Sequence, residues 1–217
     1  MPLAAKQLTL KLKGARGAQM DILAAPATLS LLCVNIAISL YAFYGDRTFI
    51  NQFAFQVGAV RELKQNYRII TSSFLHGNFA HLLLNMMTLL FFGPEVERLL
   101  GKAGFLLVYF GAIITSGVVS LRVNRDNPAY SSIGASDAAS GVVLSFCCFY
   151  PMQPIYIMFI PIGIPAILYG VLFMAISAQM MERPNRVIAH EGHLGGALAG
   201  VVLTILMRPD VVTGLFQ

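Results

Sequence analysis

A serine and an aspartate stand side by side in the segment SSIGASDAASGVV, residues 131–143, where a long apolar run begins. The hydroxyl of Ser136 becomes a good nucleophile only when a base takes its proton. His193, in HEGHLGGALAG, carries an imidazole at the start of another apolar run, and an imidazole is the commonest such base. The two residues predict acyl-transfer chemistry if their segments lie side by side.

Small residues supply a reason for the two segments to meet. Gly196 and Gly200 form a GxxxG pattern, which lets two membrane helices approach at backbone distance. The other segment has a matching face of small residues, namely Gly134, Ala138 and Gly141. If the faces meet, Ser136 and His193 come to the same end of their helices. Glycine-mediated packing with incidental polar residues is the alternative, and the spacing alone leaves both open.

A second polar pair lies in HGNFAHLLLNMM. His81 and Asn85 are four residues apart, so their side chains share one face of a helix. Two donors on one stripe could hold an oxygen atom that carries negative charge. They could equally donate hydrogen bonds to a neighbouring helix and hold a bundle together, at about 0.6 kcal/mol each.

Metal binding is the competing chemistry. The chain has four histidines, in two groups: His76 with His81, and His190 with His193. HEGH resembles a zinc-protease signature, but HExxH places its histidines at i and i+4, whereas here they are at i and i+3. Zinc held by all four histidines stays open, while the spacing favours no metal and no cofactor.

The composition predicts an all-α polytopic membrane protein. Only 12% of the 217 residues are charged, against about a quarter in soluble domains, and 57% are hydrophobic. A helix needs about 20 apolar residues to cross a bilayer, and nearly all of the chain beyond residue 25 consists of such runs. The net charge of +5 comes with no dense basic run, so nucleic acid is not an expected partner.

Six spans are predicted, which places both termini on one side of the membrane. A basic N-terminal tail, residues 1–25, favours the cytoplasmic side, although the overall Lys/Arg distribution is nearly balanced. The long loop 45–75 has room for interfacial helix. Four prolines between 151 and 165 predict a broken connection before the fifth span. The membrane domain, 26–207, holds spans at about 27–44, 78–98, 103–121, 134–150, 165–181 and 187–207, and 208–217 form a C-terminal tail.

Taken together, the polar segments resemble the rhomboid family of intramembrane serine proteases. HGNFAHLLLNM is similar to the family's second-helix motif, with His81 and Asn85 in its HxxxN. GASDAASG is similar to GASGxxSG and places Ser136 at the nucleophile, and HLGGALAG is similar to the last-helix HxGG and places His193 at the base. The order and spacing of the three motifs make the resemblance specific.

Weaker matches extend the resemblance over residues 65 to 204. YRIITSSFLHGN is similar to the first-loop WR motif, with Tyr67 and Arg68, and GPEVERLLG is similar to GxxxE, with Glu97. Two residues depart from the family: Tyr67 replaces the tryptophan, and Asp137 replaces the glycine that follows the nucleophile.

The resemblance implies a six-transmembrane-helix rhomboid-like bundle that works through a Ser136–His193 dyad with no third acid. It implies an oxyanion site made by the Ser136 backbone N–H, His81 and Asn85. Substrates would be transmembrane proteins in a lipid bilayer, and six spans favour a bacterial plasma membrane. The alternative is a catalytically inactive rhomboid-like protein that binds or escorts membrane clients. A channel or transporter would need paired mid-membrane charges and inverted halves, which the sequence lacks.

Asp137 allows three interpretations. A helix turns about 100° per residue, so the carboxylate is not expected to orient His193. The favoured interpretation is a carboxylate in the first helical turn, stabilised by the helix dipole. Direct tuning of the site and loss of activity are the others.

Overall fold

The computed structural model describes residues 22–45, 48–156, 162–181 and 189–213, and these are mostly helical. In chain order the helices are α1 (Pro26–Tyr44), α2 (Phe49–Phe53), α3 (Val57–Arg61), α4 (Arg68–Thr71), α5 (Phe79–Val123), α6 (Ser136–Phe149), α7 (Ala166–Met181), α8 (His190–Met207) and α9 (Asp210–Thr213). The strands are β1 (Phe55–Gln56), β2 (Ser131–Ser132), β3 (Pro154–Tyr156) and β4 (Gly163–Pro165).

The long helices begin and end close to the predicted spans. The first, fourth, fifth and sixth spans correspond to α1, α6, α7 and α8, with ends that differ by a few residues. Parts of the prediction lie outside the described residues: 1–21 of the N-terminal tail, 157–161 of the broken connection, 187–188 of the sixth span and 214–217 of the C-terminal tail.

Helix α5 is divided by a glycine. Gly101 has φ 71° and ψ 166°, a conformation that breaks the helix and that only glycine adopts readily. We call residues 79–100 α5a and residues 102–123 α5b. The predicted second and third spans, 78–98 and 103–121, lie on either side of this break.

Two of the described helices are long and apolar enough to cross a membrane. They are Pro26–Tyr44 and Phe79–Val123, while Ser136–Phe149 and Ala166–Met180 are apolar but shorter. The second of the long helices contains both halves of α5. The count of six spans therefore stays a prediction.

Glycines bring α6 and α8 into backbone contact. A Cβ atom on Gly200 would overlap the carbonyl oxygen of Gly141, and one on Gly196 would overlap the carbonyl oxygen of Asp137. A Cβ on Gly141 would come to 2.9 Å from the Gly196 carbonyl oxygen. The two faces of small residues therefore meet. In membranes, where hydrophobic burial between helices contributes little, such close packing is a main source of association.

A buried carboxylate holds the start of α1. The residue before this helix is Ala25, which has no side chain to cap the free N–H groups. Glu97 of α5a accepts hydrogen bonds from the backbone N–H of Ala27 at 2.9 Å and of Thr28 at 2.7 Å, and also from the Thr28 hydroxyl. The glutamate of the GxxxE motif thus joins α5a to the start of α1, where free N–H groups and the helix dipole favour a negative charge.

The first loop folds against the loop that precedes α6. Strand β1 pairs antiparallel with β2, so residues of the two loops form a small sheet. Arg68 is 8% exposed, and its guanidinium donates to the carbonyls of Asn51 and Ala54 and to the side chain of Gln65. The loop in which interfacial helix was expected contains the short helices α2, α3 and α4.

The chain is mostly helical, as expected of an all-α protein, and two short pairs of strands lie between the helices. Besides the β1–β2 pair, β3 and β4 form an antiparallel pair with Ile155 opposite Ile164. Where it is described, the connection before α7 is not helical, as expected, and Pro154 and Pro165 lie opposite each other at one end of the β3–β4 pair. Proline fits these positions because strands at a sheet edge do not need every backbone N–H.

The contact between α6 and α8 leads to a prediction on stability. We expect Gly200→Ala to lower the melting temperature in detergent by several °C, because overpacking a close contact costs about 1–3 kcal/mol. Thermal unfolding followed by circular dichroism measures the change.

The matched control is Gly111→Ala. A Cβ there meets only the side chain of Leu203, whose terminal methyl is at 2.5 Å, and a flexible side-chain end can move away. Alanine also favours helix over glycine by about 1 kcal/mol. Equal destabilisation by the two substitutions would contradict the packing role of Gly200.

Candidate active site

Ser136 and His193 lie at the same end of two adjacent helices. Ser136 is the first residue of α6, and His193 is in the first turn of α8. The Nε2 atom of His193 is 2.8 Å from the Oγ atom of Ser136, within hydrogen-bond distance. The side chain of His193 is only 17% exposed. The arrangement is that of a hydroxyl with an adjacent base.

Aromatic and imidazole rings surround the base. The ring of Phe173 on α7 lies nearly parallel to that of His193, with ring centroids 6.3 Å apart. The ring of His190 lies edge-on at 6.1 Å. Helix α7 thus places an aromatic ring beside the base.

The turn before the nucleophile depends on a glycine. Gly134 has φ +126°, a value unfavourable for other residues, and its N–H donates to the Ser72 carbonyl at 3.0 Å. A Cβ on Gly134 would lie 2.7 Å from the ring of His81. Because Gly134 has no side chain, the imidazole of His81 can lie against the chain at this point, two residues before Ser136.

The two proposed oxyanion side chains differ in their contacts. Asn78 caps α5a by accepting a hydrogen bond from the His81 backbone N–H at 2.8 Å, which places His81 in the first turn. Asn85 is 6% exposed, and its amide nitrogen donates to the His81 carbonyl at 3.1 Å. His81 lies next to the nucleophile loop, while the amide of Asn85 is bonded to its own helix.

His76 connects α1 to the nucleophile loop, a role that the sequence did not predict. The side chain is fully buried, and its Nδ1 atom is 2.8 Å from the Ser39 hydroxyl. Its Nε2 atom is 3.5 Å from the backbone N of Ala135, at the limit of a hydrogen bond. The position of His76 five residues before His81 was the available signal, but a contact with α1 does not follow from it.

Asp137 lies closer to the dyad than its position on the helix suggested. One carboxylate oxygen accepts a short hydrogen bond from the hydroxyl of Ser116 on α5b. The other is 3.9 Å from Nε2 of His193, beyond hydrogen-bond range. A Cβ on Gly192 would lie 2.8 Å and 2.9 Å from the two oxygens, so glycine there leaves room for the carboxylate. The contact with Ser116 was missed because neither residue type specifies a partner.

A second carboxylate lies at the start of α8. Glu191 is fully buried, and it accepts a hydrogen bond from the side-chain amide of Asn124 at 2.8 Å. Asn124 follows the last residue of α5b, so this contact connects the ends of the two helices. The sequence assigned no role to Glu191.

The histidines do not converge on one point. The rings of His76 and His81 are 5.1 Å apart, and those of His190 and His193 form a second pair. In the ranges that the structure describes, no three or more His, Cys, Asp or Glu side chains are grouped as a metal site.

Comparison with known proteins identifies relatives of the chain. "Putative rhomboid protease YdcA" of Bacillus subtilis is 42% identical over 76 residues, which are 35% of this chain and 37% of that protein. "RHOMBOID-like protein 12, mitochondrial" of Arabidopsis thaliana is 26% identical over 157 residues, 65% of this chain and 46% of that protein. "Rhomboid protein 1, mitochondrial" of Saccharomyces cerevisiae is 30% identical over 137 residues, 62% of this chain and 40% of that protein.

The chain spans half or less of the length of these three relatives. The family model described as "Rhomboid domain" matches residues 63–210, which include every residue of the candidate site. The match extends over more than half of the sequence, so this integral membrane protein belongs to the rhomboid family.

Proposed function

We propose that this chain is an intramembrane serine endopeptidase that cleaves transmembrane segments of membrane proteins. The observation that carries the proposal is the 2.8 Å distance between Oγ of Ser136 and Nε2 of His193 at the adjoining N-terminal ends of α6 and α8. The rhomboid family and its protease relatives support the same reaction class.

In the proposed reaction the dyad acts in two stages. Oγ of Ser136 attacks the peptide carbonyl while Nε2 of His193 takes its proton. The C–N bond then breaks, and the same proton passes to the departing amine, which leaves an ester on Ser136. Water attacks this ester with His193 again as the base, and the serine hydroxyl is restored.

The oxyanion that forms at each stage needs donors. The backbone N–H of Ser136 is one of the free groups at the start of α6, where the helix dipole also favours negative charge. His81 lies beside the nucleophile loop. Asn85 would have to release the His81 carbonyl and turn toward the substrate, since catalytic hydrogen bonds often form only in the complex.

The bilayer arrangement is part of the proposal. Six spans in residues 26–207, with cytoplasmic tails 1–25 and 208–217, place Ser136 at the outer side. The break at Gly101 supports this arrangement, because it divides the longest helix where the third span is expected to begin. Assignment to a bacterial plasma membrane rests on the span count alone, and the relatives include bacterial and mitochondrial proteins.

Loss of the nucleophile tests the reaction directly. We expect Ser136→Ala to lower kcat for a model transmembrane substrate by at least about 1,000-fold and to abolish labelling by a fluorophosphonate, because no other group supplies the attacking oxygen. Gel-based cleavage and labelling in the same detergent measure both. Cleavage and labelling that persist in Ser136→Ala would refute the serine-protease assignment.

The oxyanion donors can be tested against a polar residue on the same helix. We expect His81→Ala and Asn85→Ala each to lower kcat by about 100- to 1,000-fold, which is typical of the loss of one oxyanion donor. Thr88→Ala is the control, since the Thr88 hydroxyl donates only to the Leu84 carbonyl of its own helix. If Asn85→Ala retains full kcat, Asn85 does not bind the oxyanion.

Asp137 distinguishes an active enzyme from the inactive alternative. Its carboxylate, 3.9 Å from the base, is the observation that favours an inactive rhomboid-like protein that binds or escorts membrane clients. We expect the native chain to be active and Asp137→Gly to stay within about tenfold of it in kcat, which is about 1.4 kcal/mol, because the carboxylate makes no hydrogen bond to the dyad.

Asp137→Asn is the matched variant, because it removes the charge and keeps the shape that Ser116 contacts. A loss of 100-fold or more in both variants would give the carboxylate a part in the reaction. An inactive native chain that gains activity in Asp137→Gly would instead support the client-binding function.

A further inference from the structure

A basic pocket lies at the end of α5b, away from the dyad. It has a volume of about 570 Å³, and its lining residues are Arg61, Val118, Leu121, Arg122 and Arg125. Three of these lie on α5b at 118, 121 and 122, a spacing that places them on one side of the helix, and Arg125 lies in the turn that follows it. The remaining arginine comes from α3 in the first loop.

The pocket changes from apolar to basic along the helix. Val118 is 44% exposed and is followed on the same face by Leu121, after which Arg122 lies in the last turn and Arg125 just beyond the helix. The rise of 1.5 Å per residue puts about 6 Å along the axis between Val118 and Arg122. A phospholipid has an apolar acyl chain followed by a negatively charged phosphate. Its two parts therefore match the apolar and basic parts of this surface in the same order.

The arginines of the pocket are weakly neutralised by the protein itself. Arg61 donates to the backbone carbonyl of Arg125 at 2.5 Å, which holds the loop against the helix end without using a carboxylate. Arg125 lies 3.3 Å from Asp126, but both side chains are more than 70% exposed, so this pair contributes little. Among the described residues, the guanidinium of Arg122 has no acceptor.

The pocket lies on the same side of the molecule as the dyad. Helix α5b ends here, and the chain continues through β2 to Ser136, while β1 and α3 are joined to that loop by backbone hydrogen bonds from Val57 and Gly58. On the proposed topology these arginines lie on the outer side, where the usual distribution of basic residues does not favour them. Binding of a negatively charged ligand would account for these arginines on the outer side.

We propose that this pocket binds an anionic phospholipid, with the headgroup phosphate between Arg61 and Arg122 and an acyl chain along Val118 and Leu121. Guanidinium groups match phosphate oxygens through paired hydrogen bonds, and the apolar residues offer a surface that an acyl chain can contact. This site is separate from the dyad, so the proposal does not depend on catalysis.

Native mass spectrometry of the full chain tests the proposal. The protein in mild detergent is titrated with phosphatidylglycerol, with phosphatidylcholine of the same acyl chains, and with inorganic phosphate. We expect one phosphatidylglycerol to remain bound in preference to phosphatidylcholine. Arg122→Gln should weaken its binding about fivefold, and Arg61→Gln with Arg122→Gln about 30-fold, because each arginine near an anionic lipid contributes about fivefold.

Lys64→Gln is the matched control, since it removes one exposed charge of the first loop outside the pocket. It should bind phosphatidylglycerol as the native chain does. Equal retention of the two lipids, equal weakening by Lys64→Gln and Arg122→Gln, or displacement of phosphatidylglycerol by inorganic phosphate would each overturn the proposal. Arg122 has no acceptor among the described residues. Unchanged binding of phosphatidylglycerol in Arg122→Gln would therefore also overturn the proposal.

Discussion

The site depends on the absence of side chains between α6 and α8. Gly200 lies against the Gly141 carbonyl and Gly196 against the Asp137 carbonyl, so the two backbones are in direct contact near their N-terminal ends. The distance between Ser136 and His193 follows from this contact, because both residues belong to the first turns of the helices that meet there. A Cβ atom at either glycine would overlap the facing carbonyl oxygen and force the two helices that carry the dyad apart.

A second set of contacts holds the nucleophile from the loop side. The β1–β2 pair, the hydrogen bond from Gly134 to Ser72, and the contact of His76 with Ala135 all hold the chain just before α6. His76 extends this support to α1 through Ser39. The close contact between α6 and α8 sets the distance between Ser136 and His193. The loop contacts fix the position of the chain just before Ser136.

The sequence predicted the features that depend on the spacing of residues close together in the chain. The ends of α1, α6, α7 and α8, the faces of small residues, and the placing of His81 one turn before Asn85 all follow from spacing within about twenty residues. The contacts of Glu97 with α1, which join residues about 70 positions apart, do not. Nor does the bond between Ser116 and Asp137, because serine and aspartate have many equivalent partners before the helices are packed.

Three carboxylates, two of them buried and that of Asp137 partly exposed, lie at helix starts. Glu97 accepts from the first N–H groups of α1, Asp137 is in the first turn of α6, and Glu191 is in the first turn of α8. A helix that starts away from water leaves N–H groups without acceptors and a partial positive charge, and a carboxylate compensates both. The cost of an ionisable group inside a membrane protein is thereby offset where the helix end is most positive. Asp137 thus lies in the first turn, where the helix dipole favours a carboxylate, and its nearness to His193 follows from the glycine contact that brings the starts of α6 and α8 together.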